Sequence, residues 1–500
     1  MIRTLALIRF DLRALLRERG TLLLLAAALL LAWYGLFEGA RFQRHAQAAS
    51  QAAVAQEAAA RTAARDLAAR YFAQPDAPEF AGVLYYRTPV DVRGYAFREH
   101  VGFAVMPALP GAALAIGLAD IQPAYVRVRA ESMASVRTAT DIDHPARLAS
   151  GRYDLMFFVV YLWPLILLTL SASVLTQDRE SLRLRSLLLQ GVGTARILFV
   201  QAGVRVLLAT ILLILGVAGA ALLSGAVPFD GAGAGALAQW AGLVLLYSAF
   251  WSGVGIAVCA CCANRMSAAF AGFGLWLLFA IVLPAALDAV TRIAAPVPPR
   301  ERYVQAMRDA LDQVNADQAG SLARFYDSHP EWKPRRTAPG EVASSVSRLH
   351  RAQETERLMS GIEREFALAE HARAAFFTRM SVLSPVSLAN EAFADAAGTD
   401  RARHRRFIED VARHQGRLRD WFQATIQRAA LGDEQAPCAR TCLGGYGFRD
   451  FDAVPRYAAS PALARPAHMP ARTWMLPVWA CAFAVLACIA LWRERRRQRC

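Results

Sequence analysis

The sequence predicts an all-α polytopic membrane protein, with six transmembrane helices and two mainly helical extracytoplasmic inserts, the first containing some strand. Three observations carry this. Hydrophobic residues make up 55% of the 500 positions and the mean hydropathy is +0.26, which displaces the several soluble domains that such a length would otherwise suggest. Apolar stretches long enough for a hydrocarbon core occur at 21–37, 154–176, 198–223, 237–260, 267–290 and 474–492. The arginines, finally, fall on one side of those stretches.

With the N-terminus inside, the short inside segments hold Arg3, Arg9, Arg13, Arg17 and Arg19, then Arg179, Arg183, Arg185 and Arg196. Arg265 follows in a turn at 261–266, and Arg493, Arg495, Arg496, Arg497 and Arg499 crowd a basic tail at 493–500. The short outside loop at 224–236 has no basic residue and one acid, Asp230. This obeys the positive-inside rule. It predicts a multi-pass protein of the bacterial inner membrane with both termini cytoplasmic. The same distribution accounts for a net charge of +15 and a pI near 9.9. The excess lies on inside segments facing anionic lipid head groups, so no nucleic-acid partner is expected.

Residues 1–20 read as a cytoplasmic amphipathic interfacial helix, with Ile2, Leu5, Ile8, Leu12 and Leu15 at helical spacing. The first span, 21–37, is short and follows an Arg-rich leader, a pattern shared with signal peptides. Ala46-Gln47-Ala48 resembles a cleavage site, yet it lies well past the apolar stretch, and losing this span would leave an odd number. The first insert, 38–153, opens with an Ala-rich stretch that extends the span as one long helix up to Pro75. Prolines 89, 107, 110 and 123, with the run Tyr125-Val126-Arg127-Val128, predict turns and a few strands beyond it. In the second insert, 291–473, Val346, Leu349, Leu358, Ile362 and Phe366 mark one helix ending before Pro385, and a second is predicted over 400–430. Pro164 and Pro284 should kink the second and fifth spans. Gly253, Gly255, Gly272 and Gly274 have the small-residue spacing of close helix packing.

The chain contains a single lysine, Lys333. A phosphate-binding loop G-x-x-x-x-G-K-[ST] is therefore absent, and ATP-driven work would have to come from another polypeptide. The nine histidines lie in the predicted outside regions without H-E-x-x-H or i,i+4 pairing, so no metal site is expected. G-x-S-x-G is missing too. Cys438 and Cys442 are the outside cysteines, and they fit either a local disulfide or two free thiols. Arg205 lies about two turns inside the third span; it is either a charge on a pathway or a side chain snorkelling to the inner face.

The inside loop at 177–197 joins the second and third spans through Asp178-Arg179-Glu180-Ser181-Leu182-Arg183-Leu184-Arg185. Its charges and the leucines at 182, 184, 187 and 188 suit a partner's groove, or a plain positive-inside hairpin. In motif order the chain resembles the permease subunits of ABC-2-type transporters, in the branch with two large extracytoplasmic inserts. Asp178-Arg179-Glu180 matches that family's acidic-basic-acidic triplet, Leu184-Arg185 its Leu-Arg, and Leu187 and Leu188, running on to Gly191, its leucine run. Leu182-Arg183 stand where Gly-Thr is usual. Gly117, Asp120 and Pro123 are similar to its first-insert Gly-x-x-Asp-x-x-Pro, and Ser384-Pro385 followed by Gly398-Thr399-Asp400 and His404 to its second-insert signature.

The resemblance covers nearly the whole chain. It implies an exporter's permease subunit with no catalytic site, metal or cofactor of its own. Its implied partners are a cytoplasmic ABC ATPase subunit, which would bind the ATP and Mg, and a second permease copy, self or related. In that frame Asp178 and Glu180 would dock the ATPase, Arg179 would support the loop, and the leucines would seat it. The alternative is a non-transporting membrane scaffold whose extracytoplasmic domain binds an envelope partner.

Overall fold

Helix α6 sets the arrangement of the apolar half of the molecule, but its place follows from the elements around it. The computed structural model describes residues 2–84, 87–130, 152–172, 174–175, 178, 183–190, 193–330, 333, 344–432, 446–464 and 469–497. In chain order, α1 (Ile2–Arg17) and α2 (Arg19–Ala73) precede a two-stranded antiparallel ribbon of β1 (Gly102–Val105) and β2 (Tyr125–Val128). Then come α3 (Leu155–Ser171), α4 (Arg183–Leu189), α5 (Thr194–Leu223), α6 (Gly231–Cys261) and α7 (Arg265–Ala294). A polar series follows: α8 (Arg300–Ala316), α9 (Gln318–Ser328), α10 (Ser344–Met380), α11 (Pro385–Ala397) and α12 (Arg401–Gly432). The last is α13 (Met475–Arg497).

Among the described residues five helices are long and apolar enough to cross a membrane: α2, α5, α6, α7 and the segment Ala471–Arg493. The predicted second span is the exception. Its apolar helix, α3, runs only Leu155–Ser171, roughly 25 Å at 1.5 Å per residue. Asp154, taken from the sequence as part of that span, instead caps the helix by accepting from Phe157 N at 2.7 Å. Helix α2 is the opposite case. Its 55 residues, roughly 80 Å, run without a break from the apolar stretch through the alanines and stop just before Pro75.

Two cores result. In the apolar bundle α6 lies between α3, α5 and α13, burying Trp240, Tyr247, Phe250 and Trp251. Gly253 and Gly255 make this possible, since a Cβ there would stand 2.8 Å from the Ala480 carbonyl and 2.0 Å from Ser171 Oγ. Gly272 and Gly274, which share the small-residue spacing, differ: a Cβ added at either would meet nothing of another element within 4 Å. The second core belongs to a polar lobe, where Tyr71 at the far end of α2 joins Tyr95, Phe407, Phe422, Phe448 and Phe451. The run 125–128 forms its predicted strand, in register from Gly102↔Val128 to Val105↔Tyr125.

The two prolines act through wide π turns. Phe158–Leu162 precedes Pro164, and Leu278–Val282 precedes Pro284. A proline has no N–H for the carbonyl four residues back, which for Pro164 is Val160. Tyr247 Oη donates to that Val160 carbonyl at 2.8 Å, and Trp276 Nε1 donates to the Tyr161 carbonyl at 2.9 Å. This π turn is thereby stitched to both neighbouring helices.

Candidate functional site

Two places gather the residues that the sequence singles out. The first is the α4 region. Leu184 and Leu187 of α4 pack inward with Leu7 of α1 and Ile197 and Val200 of α5. Leu188 and Leu189 turn the other way and are 44% and 83% exposed. The apolar face predicted for this loop is thus divided: one half anchors the helix, the other is offered outward. Asp178 is buried and pairs with Arg183 at 3.6 Å. Gln201, with its amide oriented to suit both neighbours, donates to Asp178 Oδ2 and accepts from Arg183, each at 3.2 Å. Burial raises the Asp178 pKa, against the pull of Arg183 and Arg205. The Arg183 guanidinium also lies 4.4 Å from the centre of the Phe10 ring. Asp178 therefore braces the loop from within, where the sequence suggested a docking acid. Arg179, Glu180 and the side chain of Arg185 lie outside the described residues.

Arg205 is held in the same region. Its Nη2 donates to Asp11 Oδ1 at 3.0 Å and its Nε to Asp11 Oδ2 at 3.2 Å, and Asp11 is fully buried. The ion pair bolts α1 onto α5 beside α4. Sequence reasoning passed over Asp11, although a lone acid in an Arg-rich amphipathic helix was the available signal.

The second place lies between bundle and lobe, where motifs about 280 residues apart in sequence meet. Gly398 ends α11 at φ 71° and Thr399 N bonds back to the Ala394 carbonyl at 3.0 Å, a helix stop that needs the left-handed region. Asp400 then starts α12 by accepting from Arg403 N at 2.8 Å. Gly117, at φ 55°, packs on Thr399, whose Oγ1 would stand 2.5 Å from an added Cβ. Leu118 N donates to the Thr399 carbonyl at 3.2 Å. Arg403 ties the joint by donating to the carbonyls of Pro107, Gly398 and Leu463. Ser384 caps α11 and Pro385 takes its first turn. Asp154 adds one more tie, accepting from Ile116 N at 2.7 Å.

These contacts frame an open cavity of about 1180 Å³. Its walls are α2 from Tyr34 to Gln51, the segment 105–125 with Asp120 and Pro123, Arg152 and Tyr153, and the Gly398-Thr399 turn with Arg403. Beside it, and unforeseen, Glu391 and Asp395 on α11 share Arg472 at 3.1 and 3.3 Å. Ser381 Oγ donates to Glu391 at 3.1 Å. Burial, with Asp400 nearby, pushes Asp395 up to about 7. Two acids four residues apart on an otherwise apolar helix were the legible sign.

Among the described residues no group of three or more His, Cys, Asp or Glu could hold a metal ion. Cys438 and Cys442 lie outside them. Residues 300–435, from the start of α8 to just past α12, match a domain of unknown function, DUF3526. A search of curated proteins finds no match for the chain.

Proposed function

We propose that this chain is the membrane-spanning subunit of an ATP-driven transporter, an exporter of the ABC-2 type working with a separate ATPase. In this reading α3 is a sixth span and both termini are cytoplasmic in a bacterial inner membrane. The residues at 38–153 and 291–473 form inserts on the far side. The observation that carries it is α4: a short helix between two apolar helices, braced from behind by Asp178–Arg183 and Asp11–Arg205, with Leu188 and Leu189 facing away from the protein. A braced helix with an outward apolar pair suits a groove on a soluble partner. ATP and Mg would be bound by that partner, and a second permease chain, this one or a relative, would complete the path. Rocking of the partner would pull on α4 and, through it, on α3 and α5.

The test is to purify the chain after co-expression with its chromosomal neighbours, identify what accompanies it, and assay ATP hydrolysis. A co-purifying P-loop protein with ATPase activity supports the proposal. Leu189→Asp should release it without unfolding the chain, because Leu189 is 83% exposed, and Glu180→Lys should uncouple hydrolysis from transport. A chain that purifies alone or with envelope proteins only, and shows no ATPase, would transfer the assignment to the scaffold.

A further inference from the structure

The cavity between bundle and lobe has a chemistry of its own. Its volume of about 1180 Å³ exceeds the roughly 300–1,000 Å³ of ordinary small-molecule pockets. One wall is a run of rings. Tyr34 on α2 sits 5.6 Å from Tyr153, Tyr153 sits 5.6 Å from Phe157, and Phe157 sits 5.2 Å from Tyr161. This ladder climbs the first two turns of α3 and ends at Tyr34 and Tyr153 on the cavity wall. It is open sideways, with Tyr34 54% and Phe157 41% exposed. Above it the lining turns polar and charged. Arg41, Arg152 and His45 line it together with two acids, Glu38 and Asp120, while Arg403 is taken up by the carbonyls of Pro107, Gly398 and Leu463. The Arg152 guanidinium is displayed over the Phe42 ring at 5.0 Å, and Arg41 is 3.6 Å from Glu38.

An apolar track leading to two exposed arginines, Arg41 and Arg152, fits one kind of molecule. We infer that the cavity binds an anionic amphiphile, its single tail along Tyr34, Tyr153 and Phe157 and its phosphate-like head group between Arg41 and Arg152. Arginine suits such a head group because its planar fork pairs two oxygens at once. Tyrosine suits the track because its ring is apolar and its hydroxyl tolerates the interface. The inference rests on the six-span reading for one point: it sets the ladder at the outer edge of the hydrocarbon, where a tail can slide in from the bilayer.

The experiment measures binding to the full chain in zwitterionic nanodiscs by native mass spectrometry. The probes are oleoyl lysophosphatidic acid, monoolein and inorganic phosphate. The charged lipid should bind saturably, at one per chain, and at least about tenfold more tightly than monoolein. Arg41→Ala with Arg152→Ala should weaken it by about tenfold or more, and Tyr153→Ala should weaken the lipid while leaving phosphate unaffected. Equal binding of lipid and monoolein, or full affinity in the double arginine variant, would overturn the inference. Phosphate binding as tight as that of the lipid would do so as well, by showing a head-group site without a tail. If the arginine variant does not fold, Ala46→Trp, which fills the cavity wall, replaces it. The assay uses this chain alone, so loss of binding with an ATPase still co-purifying refutes the amphiphile site only. Binding without any ATPase partner refutes the transporter only.

Discussion

Asp395 and the histidines illustrate how a residue's surroundings override its nature. Histidine is the side chain that ordinarily titrates near neutrality, yet burial lowers His350, His404 and His414 and takes His100 down to about 3. The group moved toward neutrality is an aspartate, raised to about 7 by burial and by Asp400, with Arg472 opposing. Between about 4 and 7 the folded protein holds a proton on Asp395 that the unfolded chain has lost. Stability should therefore fall as pH rises through that window. Asp395→Asn should remove this slope, on the order of 2–4 kcal/mol at full effect. His100 works in the opposite direction, losing stability as pH falls below 6.5, and it is common to both proteins. The check is thermal unfolding of wild type and Asp395→Asn from pH 4 to 8, where the difference between the two curves should grow with pH. Two parallel curves would remove Asp395 from the titration.

At the scale of elements, the π turn in α3 is the informative feature. Pro164 strips the Val160 carbonyl of its partner, and Tyr247 Oη replaces it from α6 inside a fully buried environment. Tyr247→Phe keeps the ring and removes this buried hydrogen bond, at a cost of about 0.5–1.5 kcal/mol. A lowered melting temperature should show it, with Ser248→Ala, which costs the Trp163 indole its 3.0 Å acceptor, as a comparison in the same helix pair. No change in melting for Tyr247→Phe would mean that the bond contributes nothing. A disturbance of the helix at Pro164 was legible from the proline alone. The donor that completes it was not, because Tyr247 and Trp276 reach Val160 and Tyr161 across 87 and 115 residues of sequence.

For the whole molecule, the Asp11–Arg205 pair decides whether α1 is an independent interfacial helix or part of the bundle. The pair joins α1 to α5 across 194 residues and stands beside the α4 cluster of Leu7, Leu184, Leu187 and Ile197. Removing one member leaves a buried charge unpaired, a loss of about 3–5 kcal/mol, whereas removing both avoids that penalty. Arg205→Ala should accordingly be less stable than the double variant Asp11→Ala with Arg205→Ala, and limited proteolysis should clip residues 2–17 fastest in the single variant. Equal stability of the two would mean that the pair is solvated. The position of α1 also bears on the transporter proposal, since α1 and α4 would move together.

Composition, hydropathy and proline placement determined a helical chain with long apolar helices, the unbroken α2, the strand at 125–128 and helices close to α10 and α12. These features are local: they depend on residues a few positions apart, so a linear reading reaches them. The tertiary structure alone decided the rest. It paired Asp11 with Arg205, turned Asp178 inward, divided the α4 leucines into buried and exposed halves, and made Asp154 the cap of the second apolar helix. It also brought Gly117 onto Thr399 and placed Glu391 and Asp395 around Arg472. Each depends on partners distant in the chain, whose meeting is fixed by how helices pack and which polar groups must be satisfied once they do. Sequence spacing marks some of these residues, as with Glu391 and Asp395, but not the partners they meet.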